Sequence, residues 1–233
     1  MCPAALPVPD SCDPRALVDC RHQHMWYPTE WKCPWLADPS CASINVSLFL
    51  FLSVLSGCSQ PMPLLTRRPP VLSRQREFSM ADYMNAMEGN NVVKTVFLET
   101  DAAKDNLELE ASFVGKLCAD PSVPVAGAVI GCSLDDAAGF KEYIDKMRTE
   151  SFVKGVRDVM HPKEKGFCLK PAVLSNIQYL GECGLSCDIC IQPDQLNDCA
   201  EMVRQCPGTT FISTSAFHAS SSSCLAPVVG PAR

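Results

Sequence analysis

Three shortages narrow what this sequence can be. Basic charge is scarce: 20 Lys and Arg stand against 26 Asp and Glu in 233 residues, a formal net charge of −6. A general nucleic-acid binder needs Lys and Arg clustered against phosphate, so no nucleic-acid partner is expected. Long apolar runs are missing too. The most membrane-like stretch, Val46–Leu55 (VSLFLFLSVL), is ten residues, where a bilayer span needs about 20. It is internal and has no basic residue just before it. It therefore fits neither a transmembrane helix nor a signal core, and no membrane partner is expected. Finally, no G-x-G-x-x-G or G-x-x-x-x-G-K-[ST] follows any candidate strand, which removes the usual nucleotide-binding reading.

Cysteine, by contrast, is plentiful. The 15 cysteines are about 6% of the chain, under the roughly 8–10% of a small disulfide scaffold. They are scattered and odd in number, and residues 1–16 hold four prolines and no apolar run of signal-peptide length. Mostly buried thiols in a reducing, cytoplasmic compartment are the expectation. With 47% hydrophobic and 20% charged residues, the chain can bury a sizeable core, as one large domain or two small ones.

From Asn91 onward, strand-like and helix-like segments alternate. Val92–Thr100 is β-branched and apolar, like a buried strand. Leu107–Cys118 has helical spacing, and Val123–Cys132 reads as the next strand. Ser133 is a plausible N-cap for a helix bearing Phe140, Tyr143, Ile144 and Met147 on one stripe. Val153–Met160 is a strand, and Pro171 opens a helix that Gly184 ends. Leu185–Gln192 is a strand, and Pro193 starts a helix with Leu196, Cys199, Ala200 and Val203 on one face. Thr209–Ser213 begins a sixth strand, counting an early one at Ala16–His24. This rhythm predicts an α/β fold of parallel βαβ units, as an open doubly wound sheet or as part of a (βα)8 barrel. Residues 1–15 are expected to be a flexible terminus and 213–233, rich in serine, a disordered tail. Residues 46–76 interrupt the domain with an apolar, then Pro- and Arg-rich insert that fits neither period. It is expected to pack poorly and to expose an apolar patch.

The sharpest local pattern is His22-x-His24 at a strand end. Residues two apart project to one face, so two imidazoles share one space, suited to a divalent metal or to a substrate oxyanion. The alternative is two histidines spaced by chance. Glu99 ends the second strand, as ligand, general base or first solvated residue. Arg157 interrupts an apolar strand, so it pairs with a carboxylate, from substrate or from a neighbour such as Glu99. In Leu185–Gln192, Leu185, Cys187, Ile189 and Ile191 share one face, while Ser186, Asp188, Cys190 and Gln192 share the other. Cys183, Cys187 and Cys190 have the C-x3-C-x2-C spacing of an iron–sulfur ligand set. Cys187 and Cys190 fall on opposite faces of a strand, however, and core packing explains them better.

Taken together, the ordered segments VDCRHQHMWYPTEWKCPWLADPS, VVKTVFLETDAAKDNLELEASFV, VKGVRDVM, GLSCDICIQPDQL and CPGTTFI resemble the amidohydrolase-related family of sugar lactonases and pyrone-dicarboxylate lactonases. Asp19, His22, His24, Trp26, Pro34, Trp35 and Leu36 carry the first match. The resemblance covers residues 16–45 and 78–212. It implies a TIM-barrel-type (βα)8 fold with the site at the strand C-terminal ends, and hydrolysis of a lactone or similar cyclic ester or amide of a small molecule. His22 and His24 would be catalytic, as metal ligands or carbonyl-polarising groups. Glu99 would sit beside them, Arg157 would bind substrate, and Gln192 would line the pocket. The implied cofactor is a divalent metal, zinc, although some members need none.

The departures are equally specific. TTFI runs into STSAFHASSSS, not to the histidine that family members carry there. About six of eight βα units are present, and the last-strand aspartate has no match. The chain is therefore expected to be a C-terminally incomplete hydrolase with weak or no activity, or a non-catalytic remnant or interaction protein. Asp188 or Glu99 would have to take the base role if it is active.

Overall fold

The computed structural model describes residues 18–25, 27, 29–34, 77–88 and 92–213. The expectations for the 1–15 terminus, the 46–76 insert and the tail past residue 213 lie outside the described residues. So does the Val46–Leu55 stretch, and among the described residues no helix is long and apolar enough to cross a membrane.

Six strands form one sheet: β1 (Val18–Gln23), β2 (Val92–Leu98), β3 (Val125–Gly131), β4 (Val153–Val159), β5 (Ser186–Cys190) and β6 (Thr210–Ser213). Every neighbouring pair is parallel, and spatial order equals chain order. That order decides between the two architectures. A doubly wound sheet reverses its strand order at a switch point. A chain that lays each strand beside the last, through right-handed crossovers, puts its helices on one face and curls as a barrel does. The fold is α/β and TIM-barrel-like.

Among the described residues five α-helices accompany the strands: α1 (Met80–Ala86), α2 (Leu107–Ala119), α3 (Phe140–Met147), α4 (Pro171–Glu182) and α5 (Leu196–Gln205). Pro171 stands in the first turn of α4, where its missing N–H would have had no intrahelical partner. Gly184 follows that helix with φ +71°, the left-handed stop that glycine adopts without strain.

The two sheet faces differ in kind. Phe97, Ala128, Ile130, Val156, Cys187 and Ile189 join the helix-side core, where α3 adds Phe140, Ile144 and Met147 and α4 adds Val173, Ile177 and Leu180. The other face carries two cross-strand rows. Val129, Gly155 and Ser186 form one, and Gly131, Arg157 and Asp188 the next toward the strand ends. A Cβ on Gly155 would lie 2.0 Å from Ser186 Oγ, so only glycine admits β5 at this spacing.

Two expectations about helices are corrected. Ser133 does not cap α3; Gly139 does. The Asp136 carboxylate accepts the N–H groups of Ala138 and Gly139 at 3.1 and 2.9 Å, and Asp158 Oδ2 accepts the Leu134 N–H at 2.9 Å. These bonds hold 133–139 as a loop and delay the helix. The inward face of α5 is Cys199 and Met202, continued by Cys206 just past its end, with Leu196 part-buried against the core as expected; Ala200 and Val203 turn outward instead, Val203 being 37% exposed. The polar Asn197 and Asp198 beside Leu196 leave sequence periodicity with two nearly equal solutions, and packing selects the second.

Candidate functional site

The loops at the C-terminal ends of the strands are stitched together by buried polar side chains. His24 follows β1 directly and is buried. Its Nδ1 lies 3.1 Å from the Leu98 carbonyl oxygen and 2.9 Å from that of Glu99. Carbonyl oxygens only accept, so Nδ1 is the donor here; when the ring is neutral, its lone pair is on Nε2. A carbonyl that fixes the tautomer in this way is what orients a metal-ligating or carbonyl-polarising histidine. His22 lies in β1, with its side chain outside the described residues. Among the described residues no group of three or more His, Cys, Asp or Glu side chains is set to hold a metal ion. The donor that is described, His24, fits such a group in tautomer and burial.

Glu99 is the first residue past β2 and is 2% exposed. Its Oε1 accepts from Arg157 Nε at 2.5 Å, and its carbonyl oxygen accepts from Arg157 Nη2 at 2.9 Å. Its Oε2 accepts the Asp101 N–H. Asp101 is the one described non-glycine residue at positive φ, +53°, a left-handed conformation costing roughly 1–2 kcal/mol that the Glu99 bond helps to hold. Sequence left Arg157 open between an ion pair with a neighbour and a contact to substrate. The ion pair with Glu99 is present in the structure, deep in the molecule, with the Arg157 side chain 8% exposed.

Four further carboxylates lie at the same end. Glu110, one turn into α2, is buried. Its Oε1 accepts both the Thr100 N–H, at 2.9 Å, and the Thr100 hydroxyl, at 2.6 Å. Its Oε2 has no hydrogen-bond partner. Burial, and then the nearby Glu99 charge, push its carboxyl up to about 8. The Thr100 hydroxyl also accepts Trp31 Nε1–H at 3.2 Å, which ties the segment after β1 to the one after β2. Asp158 holds the Leu134 N–H, with Lys163 Nζ 3.6 Å away. Asp188 on β5 is 2% exposed, and burial, chiefly, raises it to about 6. Asp101, at the rim, is also raised to about 6, by partial removal from water and then by Glu99.

Gln192 follows β5 and is exposed. Its N–H donates to Gln195 Oε1 at 2.8 Å. The buried amide of this loop is Gln195, whose Nε2 donates to the carbonyls of Met160 and Lys163 at 3.0 and 3.2 Å. The structure thus brings His24, Glu99 and Arg157 together and leaves Gln192 exposed on the surface. Sequence reasoning passed over Glu110 as a site residue and named Asp188 only as an alternative base beside Glu99. Each had a signal: Glu110 stands in the apolar series Leu107, Ala111, Val114 of α2, and Asp188 shares the polar face of β5. A separate cleft of 340 Å³, lined by Lys104, Glu108, Ser133, Asp136 and Tyr143 among others, contains none of the strand-end residues His24, Glu99 and Arg157. The nine cysteines whose side chains are described are free, and Cys187 and Cys190 lie on opposite faces of β5, as expected.

No protein-family model matches the chain, and no curated protein sequence matches it. Solved structures do. Amidohydrolase 2 from Bifidobacterium longum subsp. infantis is 23% identical, with a TM-score of 0.54; the match covers 84% of this chain and 60% of that one. An amidohydrolase from Burkholderia multivorans with bound zinc is 16% identical, with a TM-score of 0.58, over 85% of this chain and 57% of that one. A probable 2-pyrone-4,6-dicarboxylic acid hydrolase from Acinetobacter baumannii with bound citric acid is 9% identical, with a TM-score of 0.50, over 84% and 56%. The chain has the fold of these amidohydrolase structures and spans less than two thirds of their length.

Proposed function

We propose that the chain is an amidohydrolase-type hydrolase, of the amidohydrolase-related family, which opens a lactone or similar cyclic ester or amide of a small molecule in the cytoplasm. The observation that carries this reading is the convergence of His24, Glu99 and Arg157 at the C-terminal ends of β1, β2 and β4, where parallel barrels keep their chemistry. The Burkholderia neighbour binds zinc, and the Acinetobacter neighbour is named for a cyclic ester. Both support the assignment by analogy of fold. The strands of this chain make up about six units of an eight-unit barrel.

In this reading His22 and His24 face the reacting carbonyl, and a divalent metal held by them would polarise that carbonyl and acidify a water. The Leu98 and Glu99 carbonyls keep Nδ1 of His24 protonated, so Nε2 is the working atom. Arg157, steadied by Glu99, presents its remaining N–H groups to a substrate carboxylate or hydroxyl, and Gln192 lines the rim.

The test is to assay the purified chain against a panel of sugar lactones and a pyrone lactone, with zinc content measured in the same preparation. Lactone opening that falls at least a hundredfold in H24A is the expected result. No turnover of any lactone, with or without added zinc, would replace the enzyme reading with that of a non-catalytic interaction protein.

A further inference from the structure

We propose that Asp188 is the general base that activates the hydrolytic water. This deepens the hydrolase reading and rests on it. The buried carboxylates at this end of the sheet differ in what already engages them. Glu99 is engaged by Arg157 and by the Asp101 N–H. Asp158 is engaged by the Leu134 N–H and faces Lys163. The paired oxygen of Glu110 takes two bonds from Thr100, and the side chain reaches in from the helix layer. Lone pairs engaged in this way are not available to a water, and Glu110, although its second oxygen is unbonded, belongs to α2 rather than to a strand of the sheet.

Asp188 is different. It stands on the inner face of β5, in register with Arg157 on β4 and with Ile212 on β6. It is as buried as Glu99, at 2% exposure. Its hydrogen-bonding contact is Ser186 Oγ, at the long distance of 3.5 Å. The bonds that Arg157 makes go to Glu99. The charged groups acting on Asp188 are the Arg157 cation, which favours its ionised form, and the Glu99 anion, which opposes it. Cys187, next to it in β5, turns to the helix side and is fully buried. What results is an under-bonded carboxylate on the face that the proposed substrate would meet. Its raised proton affinity, near 6, lies close to neutrality, where a general base works best.

The chemistry closes without any further reagent. Asp188 takes a proton from water as the water oxygen bonds to the lactone carbonyl carbon and the carbonyl π pair moves onto its oxygen. When that pair returns, the ring C–O bond breaks, and the leaving oxygen recovers the proton from Asp188. The product is the open hydroxy acid.

The experiment compares the full 233-residue chain with D188N and D188A on whichever lactone the wild type opens. In D188N, kcat should fall about 10²- to 10⁴-fold, with KM nearly unchanged. The acidic limb of the wild-type pH profile, centred near 6, should vanish. Formate or azide added to D188A should restore part of kcat, because a small anion can stand in for a lost base but not for lost packing. Full activity in D188N, or a loss with the acidic limb intact and no rescue by either anion, would overturn the assignment while leaving the hydrolase reading in place. A wild type that opens no lactone would overturn both.

Discussion

The helix-side face of the sheet and its inner face obey different rules. On the helix side, β2 to β5 contribute Phe97, Ala128, Ile130, Val156, Cys187 and Ile189, none more than 7% exposed and none charged. Their stabilisation is non-directional and scales with the area removed from water. On the inner face and at its rim, burial is just as deep at Glu99, Arg157 and Asp188, but the buried groups are ionic. There, burial opposes folding unless each charge has a partner. One face specifies the fold; the other lowers its stability and carries the proposed site.

The largest effect that can break this comparison is at the buried pair. R157M leaves Glu99 buried without its cation and should cost about 3–5 kcal/mol, read as a lower urea midpoint. Replacing both partners, as in the R157M/E99L double variant, should recover most of that loss, since an apolar pair has no unpaired charge. A single variant as stable as the wild type would mean that the inner face is far wetter than the structure implies.

On the opposite face, I177A removes a fully buried side chain and should cost about 2–5 kcal/mol through lost transfer and cavity terms. Here no compensating second substitution of the ionic kind exists, which sharpens the contrast.

A pH series separates the faces again. Glu110 is raised from 4.5 to about 8, so between those values the folded chain holds a proton that the unfolded chain releases. Its contribution to stability is therefore greatest below pH 4.5 and falls as the pH rises toward 8. E110Q keeps an oxygen for Thr100 and cannot ionise. Its denaturation midpoint should exceed that of the wild type at pH 8 and approach it at pH 4.5. A gap of equal size at both pH values would assign the effect to packing instead.

The smallest effect is expected at the surface pair Lys146–Glu108, 2.6 Å apart with side chains 59% and 57% exposed. K146A should stay within about 1 kcal/mol of the wild type, and salt should erase what difference there is.

How far the sequence could be read follows the same division. Alternation in β5 assigned Cys187 and Ile189 to the core and Asp188 to the other face, because a period of two is a local property. His24 and Glu99 were visible as strand-end residues, and Arg157 as an ion in an apolar strand. The start of α3 was not legible. It depends on Asp158 reaching Leu134 across 24 residues, which no local pattern around Ser133 reports. Glu110 was hidden for the same reason: its reason to be buried is Thr100, on another element. On α5, Leu196 and Cys199 were legible, but Met202 in place of Ala200 and Val203 was not, because neighbouring apolar stripes share Cys199 and only the packing beneath decides between them.

Strand order has a consequence in time as well as in space. Residues paired between β2 and β3, and so on to β6, are 24 to 31 positions apart in the chain. The strand β1 must instead close on β2 across 74, the separation of His24 from Leu98. Loop closure grows more costly with length, by about 0.6 kcal/mol per doubling, and distant contacts form slowly. The β2–β6 sheet should therefore assemble first and β1 dock last, so that the strand bearing the paired histidines completes the molecule. Pulse-labelled hydrogen exchange that protects the Leu98 and Val129 amides before those of β1 would show this order, and the reverse sequence would refute it. Until that docking, the Leu98 and Glu99 carbonyls await their imidazole, so the proposed site would be assembled only in the last step of folding.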